Sequence, residues 1–249
     1  MKKLISLFLA LILCCALIPA GAEDVSLTGT WYMAGATAEG TEIQVVDPEA
    51  ITLTINEDGT FLLTASSYGA SQEGTWTVAD SVLSLKAQDQ TTDLQISGDS
   101  LEINMGTTVV SLSRTPAEAA PFPAPVVAES ADAFNGIWIP CAQVTSGMYA
   151  KMPEEAIAQY GKISIDDGKV SVLYDSGSGE YVTAITYETA FADGILTGED
   201  SSTIPTRMSL FFLEDGSLCF DTIMSFGEGA SIGMSVIYLP EAAAEEPAA

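Results

Sequence analysis

Short stretches of alternating apolar and polar residues, separated by glycine-containing turns, run along most of this chain. Residues 51–55 read Ile-Thr-Leu-Thr-Ile, and Asp58-Gly59 follows them closely. An alternation with period two gives a β-strand one buried and one solvated face. Glycine reaches positive φ without steric cost, so an Asp-Gly pair favours a hairpin turn. The pattern therefore predicts antiparallel strands joined by hairpins.

This pattern occurs twice, with its features in the same order. Residues 27–31 read Leu-Thr-Gly-Thr-Trp, and residues 134–138 read Phe-Asn-Gly-Ile-Trp. The turns Asp58-Gly59 and Asp167-Gly168 follow at corresponding places. Each half contains about eight evenly spaced strand-like stretches, which favours an up-and-down barrel or a sandwich. We infer that the two halves arose by duplication.

A segment rich in proline and alanine separates the halves. Residues 115–133 read TPAEAAPFPAPVVAESADA, a composition typical of an extended, semi-rigid linker. We predict one domain over 23–114, a second over 134–240, and a disordered acidic tail over 241–249. The second domain contains the one helix candidate, residues 153–159, where proline and acidic residues suit the first turn.

The N-terminus has the parts of a secretory signal peptide. Lys2 and Lys3 precede an apolar run over residues 4–18, and small residues follow it up to Ala22. The run is shorter than the roughly 20 apolar residues that span a bilayer. We predict that residues 1–22 are cleaved after Ala22 and that the protein is secreted or otherwise extracytoplasmic.

Acidic residues dominate the charge of the chain. It has 8 basic and 34 acidic residues, so loss of Lys2 and Lys3 changes the net charge from −26 to −28. Such a surface repels phosphate backbones and anionic membranes, which argues against a nucleic-acid partner. Solubility outside the cell accounts for the charge, with cation binding as the alternative. No later stretch is apolar enough for a membrane helix, so we expect no integral membrane association.

The cysteines are compatible with a disulfide but argue against a metal site. Cys14 and Cys15 leave with the signal peptide; a lipoprotein is the alternative there, although neither cysteine follows a small residue. Cys141 and Cys219 remain, and an extracytoplasmic site permits a bridge between them. The first and seventh strands of a barrel are not neighbours, however, and a bridge needs Cα atoms within about 7 Å. Two cysteines in a chain without histidine do not make a zinc site, and we expect no cofactor.

The paired tryptophan motifs resemble a known signature. Gly29-Thr-Trp31 and Gly136-Ile-Trp138, each opening about eight strands, resemble the Gly-x-Trp motif of lipocalins and the wider calycin group. This resemblance implies an all-β protein of two tandem antiparallel up-and-down barrels of about eight strands each, and the helix candidate adds a short helix to the second.

The same resemblance assigns structural roles. In lipocalins the tryptophan closes the barrel floor and a basic residue near the last strand lies across it, which implies floor positions for Trp31 and Trp138. Arg114 ends the last strand of the first half and fits the basic position, whereas residues 236–240 offer none in the second. A cation over an indole contributes about 0.5–2 kcal/mol.

The absence of histidine restricts catalysis. Without it the usual general base, the imidazole-dependent triads and most catalytic metal sites are lost. A carboxylate pair of the glycosidase type is compatible with the composition, but 34 acids single out none. The acidic turns lack the ligand pattern of an EF-hand. We predict a non-enzymatic protein, with a carboxylate-based hydrolase as an alternative.

Methionines and tyrosines mark the longest loop of the second half, which in a lipocalin-like barrel lies across the mouth. Flexible thioethers and an aromatic lid suit a soft apolar pocket. We predict that Met148, Tyr149 and Met152 line an entrance for a hydrophobic small molecule or peptide; methionines that merely fill the core are the alternative. A third interpretation is a surface protein that binds an extracellular protein or glycan through its outer β faces.

Overall fold

The protein is all-β, as the alternating pattern predicts, and antiparallel strands make up most of it. The computed structural model describes residues 26–65, 70–153, 156–157, 160–177, 180–200, 204–227 and 230–241. The predicted signal peptide, and the predicted tail beyond Glu241, lie outside these residues. Among the described helices, none has the length and apolar character needed to cross a membrane.

The first half forms a closed antiparallel barrel. Its strands are β1 (Gly29–Ala38), β2 (Thr41–Val45), β3 (Ile51–Ile55), β4 (Thr60–Ala65), β5 (Ala70–Ala79), β6 (Val82–Ala87), β7 (Gln90–Ser97), β8 (Ser100–Met105) and β9 (Thr108–Ser113). Pairing of β1 with both β3 and β9 closes a ring of eight of these described strands. β2 forms a hairpin with β1 outside the ring.

The second half forms another closed ring. Its strands are β10 (Pro125–Val126), β11 (Gly136–Thr145), β12 (Met148–Lys151), β13 (Lys162–Asp166), β14 (Lys169–Asp175), β15 (Tyr181–Ala192), β16 (Ile195–Asp200), β17 (Thr206–Leu213), β18 (Leu218–Gly227) and β19 (Ala230–Pro240). β11 pairs with β13 and β19, which closes eight described strands. β12 forms a hairpin with β11, and β10 pairs with the end of β17.

Two short helical segments accompany the strands. Residues 131–134 form a 3-10 helix that leads into β11, a segment placed in the linker by the sequence. The predicted helix over 153–159 lies partly outside the described residues; within it, Ile157 N–H donates to the Pro153 carbonyl at 3.2 Å, the spacing of an α-helical turn.

Trp31 closes one end of the first barrel. Its side chain is fully buried, and its indole N–H donates to the Leu27 carbonyl at 2.9 Å. The Arg114 guanidinium lies 4.1 Å from the centre of the indole. The ring thus combines apolar burial with a cation on its open face.

Trp138 occupies the corresponding end of the second barrel with different neighbours. Its indole N–H donates to the Phe134 carbonyl at 3.0 Å, the same four-residue spacing as in the first half. The ring of Phe212 lies 5.8 Å from the indole and 4.7 Å from the stacked ring of Phe134. Aromatic packing fills the place that Arg114 takes in the first barrel.

The two barrels join through the hairpins that lie outside their rings. β12 pairs with β2 in the register Met148 to Val45 and Tyr149 to Gln44. The sequence predicted loops at both strands. Met148 belongs to the hydrophobic core of the first barrel, although it comes from the second half. The hairpin turn before β12 is also in contact with the first half, because Val46 N–H donates to the Gly147 carbonyl at 2.8 Å.

The proline-rich segment lies along both barrels. Ala117 N–H donates to the Met33 carbonyl at 3.2 Å, and Ala120 N–H donates to the Val45 carbonyl at 2.7 Å. Further along, Glu214 N–H donates to the Ala124 carbonyl at 2.9 Å, just before β10 pairs with β17. Residues 115–133 therefore contact both halves rather than merely spanning the distance between them.

The two cysteines are free and face an apolar cluster on the outside of the second barrel. This outer cluster contains Ala142, Leu213, Cys219 and Ile237, with Cys141 packed against it. Cys219 pairs with Ile237, which in turn pairs with Ala142, so strand β19 lies between the two thiols. Two strand spacings amount to roughly 10 Å, beyond the roughly 7 Å that a disulfide permits.

A methyl group at Gly147 should destabilise the protein through the junction. A Cβ there would lie 2.2 Å from the Asp47 carbonyl oxygen and 2.6 Å from the Ala50 Cβ. Gly147→Ala should therefore lower the free energy of unfolding, measured in urea, by about 1–3 kcal/mol more than Gly40→Ala. Gly40 is the matched control, since it has the same place in its hairpin, a similar φ of +79° against +74°, and open space around it. Equal losses of unfolding free energy in the two variants would show that the contact of Gly147 with Asp47 and Ala50 does not matter for stability.

Both thiols should react without prior reduction. Alkylation of the mature protein in denaturant, with no reductant, should add two alkyl groups by intact mass, on Cys141 and Cys219. Treatment with reductant before alkylation should leave that mass unchanged. Adducts that form only after reduction would show a disulfide instead.

Candidate functional site

Inward-facing apolar side chains are exposed at the end of the second barrel opposite Trp138, which we name the mouth. Ile185 pairs with the buried Val172, and Val182 pairs with Tyr174, which packs against the core. Directly paired residues share a face of the sheet, so both side chains point inward. Even so, Ile185 is 38% and Val182 is 50% exposed. The inner wall is therefore apolar and reachable from solvent at this end.

Tyrosines line the barrel below these residues. Tyr160 and Tyr174 pack partly buried against the core, and Tyr187 and Tyr238 belong to it. Phe220 lies edge-on between the last two, at 6.3 Å and 6.2 Å. Such rings supply large apolar surfaces together with hydroxyl groups at their tips.

Burial raises the pKa of the deeper tyrosine hydroxyls above the ordinary value. Burial first, and then the charges of Asp200 and Tyr174, raise the pKa of Tyr187. Burial is also the largest cause of the raised pKa of Tyr238. Nearer the mouth, the Tyr160 hydroxyl donates to the Gln143 side-chain carbonyl at 2.5 Å. At neutral pH Tyr187 and Tyr238 therefore keep their protons and can donate hydrogen bonds.

Methionines add a deformable surface to the same interior. Met208 is buried in the core, and Met152 and Met234 pack against it with partial exposure. Unbranched thioethers adapt to irregular shapes. The upper interior is thus soft, apolar and lined by aromatic edges.

The charge inside the mouth is negative. Asp200 follows Leu196 and Gly198 on the inward-facing side of β16 and acts electrostatically on Tyr187. The four basic side chains described in the second half lie elsewhere. Three of them form ion pairs with carboxylates outside the barrel: Lys162, Lys169 and Arg207. The fourth, Lys151, lies on the outer face of β12.

The corresponding end of the first barrel is occupied. Val45, Ala50 and Met148 lie there, and each is at most 9% exposed within the first core. Met148 reaches this position because β12 pairs with β2. The hairpin of the second half thus covers the first barrel.

The structure does not bring the three predicted entrance residues together. Met148 packs in the first core, Tyr149 against the outer cluster, and Met152 against the second core. The reason is that residues 148–151 form a strand rather than a loop, so successive side chains alternate between faces. Of the three, Met152 alone packs against the core beneath the mouth.

Several mouth residues were not singled out from the sequence. Val182 and Ile185 lie on either side of a bulge in β15 that shifts the parity between them, so no clean alternation marks them. Tyr174 follows Val170 and Val172 with the same parity, which is a usable signal. Among the described residues there is no cluster of three or more histidine, cysteine or acidic side chains that suits a metal ion.

Comparison with known proteins bears mainly on the first half. A family model described as a lipocalin-like domain matches residues 27–104. No curated protein matches the chain.

Solved structures give only distant similarities. One is a Bacteroides fragilis protein provisionally assigned to the outer membrane, with 12% identity and a TM-score of 0.27, covering 88% of this chain and all of the other. Another is a Nostoc punctiforme protein of unknown function from the DUF3598 family, with 10% identity and a TM-score of 0.22, covering 88% of this chain and 98% of the other. The similarity to lipocalin-like domains comes from the family match alone, which runs from just before β1 through most of β8.

Proposed function

We propose that this protein is an exported, non-enzymatic binding protein that takes a hydrophobic small molecule or peptide into the mouth of its second barrel. The observation that carries the proposal is the exposure of Val182 and Ile185, whose side chains point inward. Inward-facing apolar surface that is left in contact with water loses the stabilisation that burial brings, about 25 cal/mol per Å². A bound apolar ligand would recover it.

The lining also restricts the ligand class. Aromatic edges and thioethers suit an apolar body of variable shape, and tyrosine hydroxyls suit one or two polar groups on it. The inward-facing Asp200 and the strongly acidic chain favour a neutral or cationic ligand over an anion.

The lipocalin-like match supports a binding role, since domains of this fold commonly hold hydrophobic ligands. The match covers the first barrel, whose mouth is filled, so ligand binding is assigned to the second. The shared tryptophan position and hairpin order support a tandem duplication in which one copy kept an open interior. The lack of histidine supports the non-enzymatic assignment.

A charge at the inner wall should weaken ligand uptake. Ile185→Glu should lower the fluorescence enhancement of Nile red, a neutral apolar probe, by at least about fivefold, because a carboxylate in an apolar site costs desolvation energy. The side chain is already partly exposed, so the fold should survive, as circular dichroism would verify.

The matched control is Thr186→Glu, one residue along the same strand. Thr186 pairs with Ser171 and points outward, so the substitution adds the same charge on the outer face of the strand. Its enhancement should equal that of the unchanged protein. If both variants bind the probe equally well, or if the unchanged protein does not enhance its fluorescence, the mouth is not the binding site.

Export should leave a defined N-terminus. When the full chain is expressed in a bacterium with a secretion pathway, N-terminal sequencing of the extracytoplasmic product should begin at Glu23. Replacing Ala20 and Ala22 with Lys removes the small residues of the cleavage site, so the exported product should then keep residues 1–22. An extracytoplasmic product of the unchanged chain that still begins at Met1 would contradict cleavage.

A further inference from the structure

A cavity of about 500 Å³ lies outside both rings, between the outer face of the second barrel and the proline-rich segment. Its wall from the second barrel includes Leu213 and Ile237 of the outer cluster. Phe122, flanked by two prolines, forms the opposite side, and Gln44 of β2 lies at the edge. Cavities of this size suit a small molecule.

Two aromatic rings give the cavity an apolar slot. Phe122 and Tyr149 meet edge to face, with ring centres 6.0 Å apart. Tyr149 is positioned by its pairing with Gln44 across the junction, so the slot exists only where the two halves meet. Phe122 is still 36% exposed, which leaves apolar surface for a ligand to cover.

Charges of opposite sign line the same cavity. Lys151 comes from β12, and Asp215 comes from the turn between β17 and β18. Burial first, and then the Asp215 carboxylate, raise the pKa of the Cys141 thiol to about 11, while the Lys151 ammonium acts in the opposite direction. Lys151 takes part in none of the ion pairs between described side chains.

The carboxylate of Asp215 has capacity for a ligand. Its Oδ1 atom accepts from the backbone N–H and the hydroxyl of Ser217, at 2.9 Å and 2.6 Å. These two bonds fix the side chain in its turn and use one oxygen only. The other oxygen accepts no hydrogen bond from the described residues.

We propose that this cavity binds a free α-amino acid with a large apolar side chain. The ligand's ammonium group contacts Asp215, its carboxylate contacts Lys151, and its side chain lies against Phe122 and Tyr149. An α-amino acid fits because it carries an ammonium and a carboxylate at one end of its side chain, and the two protein charges line the same cavity as the two aromatic rings. This site is separate from the mouth, where the negative lining favours a different ligand.

Protection of the Cys141 thiol tests the proposal in the mature full-length chain. N-ethylmaleimide labelling at pH 8, followed by peptide mapping, should slow at Cys141 by at least about fivefold when L-phenylalanine is saturating. Phenethylamine and 3-phenylpropanoate each lack one charge, so each should need about tenfold higher concentration for the same protection. No protection by L-phenylalanine, or equal protection by all three compounds, would overturn the proposal.

Variants locate the contact and separate it from the mouth. Relative to its own ligand-free labelling rate, Lys151→Gln should weaken protection by L-phenylalanine about tenfold and should not weaken that by phenethylamine. Lys169→Gln removes an exposed lysine on β14 and should change neither. Ile185→Glu should retain full protection, because it alters only the mouth; loss of protection in that variant, or in Lys169→Gln, would overturn the assignment to this cavity.

Discussion

Pairing between the first and last strands of each half is the interaction on which the rest of the structure depends. β1 with β9, and β11 with β19, close the two ladders, so that neither ring has a free edge. Once a ring is closed, one face of each strand lines the interior of the barrel and the other face forms its exterior, so alternate side chains point inward and outward. Every later feature, from the floor tryptophans to the mouth, is an inside or an outside position on these rings.

A bulge near the middle of each first strand modifies that alternation. It lies between Met33 and Gly35 in β1 and between Pro140 and Ala142 in β11. The extra residue shifts the parity of the later residues in the strand. As a result Ala142 points outward to the outer cluster, while Gln143 points inward and accepts a hydrogen bond from Tyr160. The polar group at the mouth and the apolar patch outside it therefore have the same origin.

The two hairpins outside the rings make similar halves unequal. Gly40 turns its hairpin in open space, whereas Gly147 turns against Asp47 and Ala50. Along β12, Met148 enters the first core, Tyr149 faces the outer cluster and Met152, just beyond the strand, packs on the second core. One short strand thus fills the first barrel, builds a wall of the outer cavity and contributes to the second interior.

Amino-acid order alone predicted the all-β class, most of the strands and the turns between them. The alternation in residues 51–55 and the Gly-x-Trp motif that opens each half involve only residues close together in the chain, so they can be recognised from the sequence alone. The Arg114 position came from a family resemblance and lies 4.1 Å from the Trp31 ring centre.

Only the tertiary structure decided where the candidate sites lie. An alternation with period two shows which residues of a strand share a face, but it does not show which strand lies beside them. Ile43 and Val45 alternate with polar residues, yet β2 acquires its second neighbour from a strand about a hundred residues away. That pairing brings Met148 into the first core and places Tyr149 beside Gln44, where both line the cavity at Phe122 together with the second barrel. Likewise, the exposure of Val182 and Ile185 depends on whether another part of the protein covers this end of the barrel, and no local sequence pattern shows that.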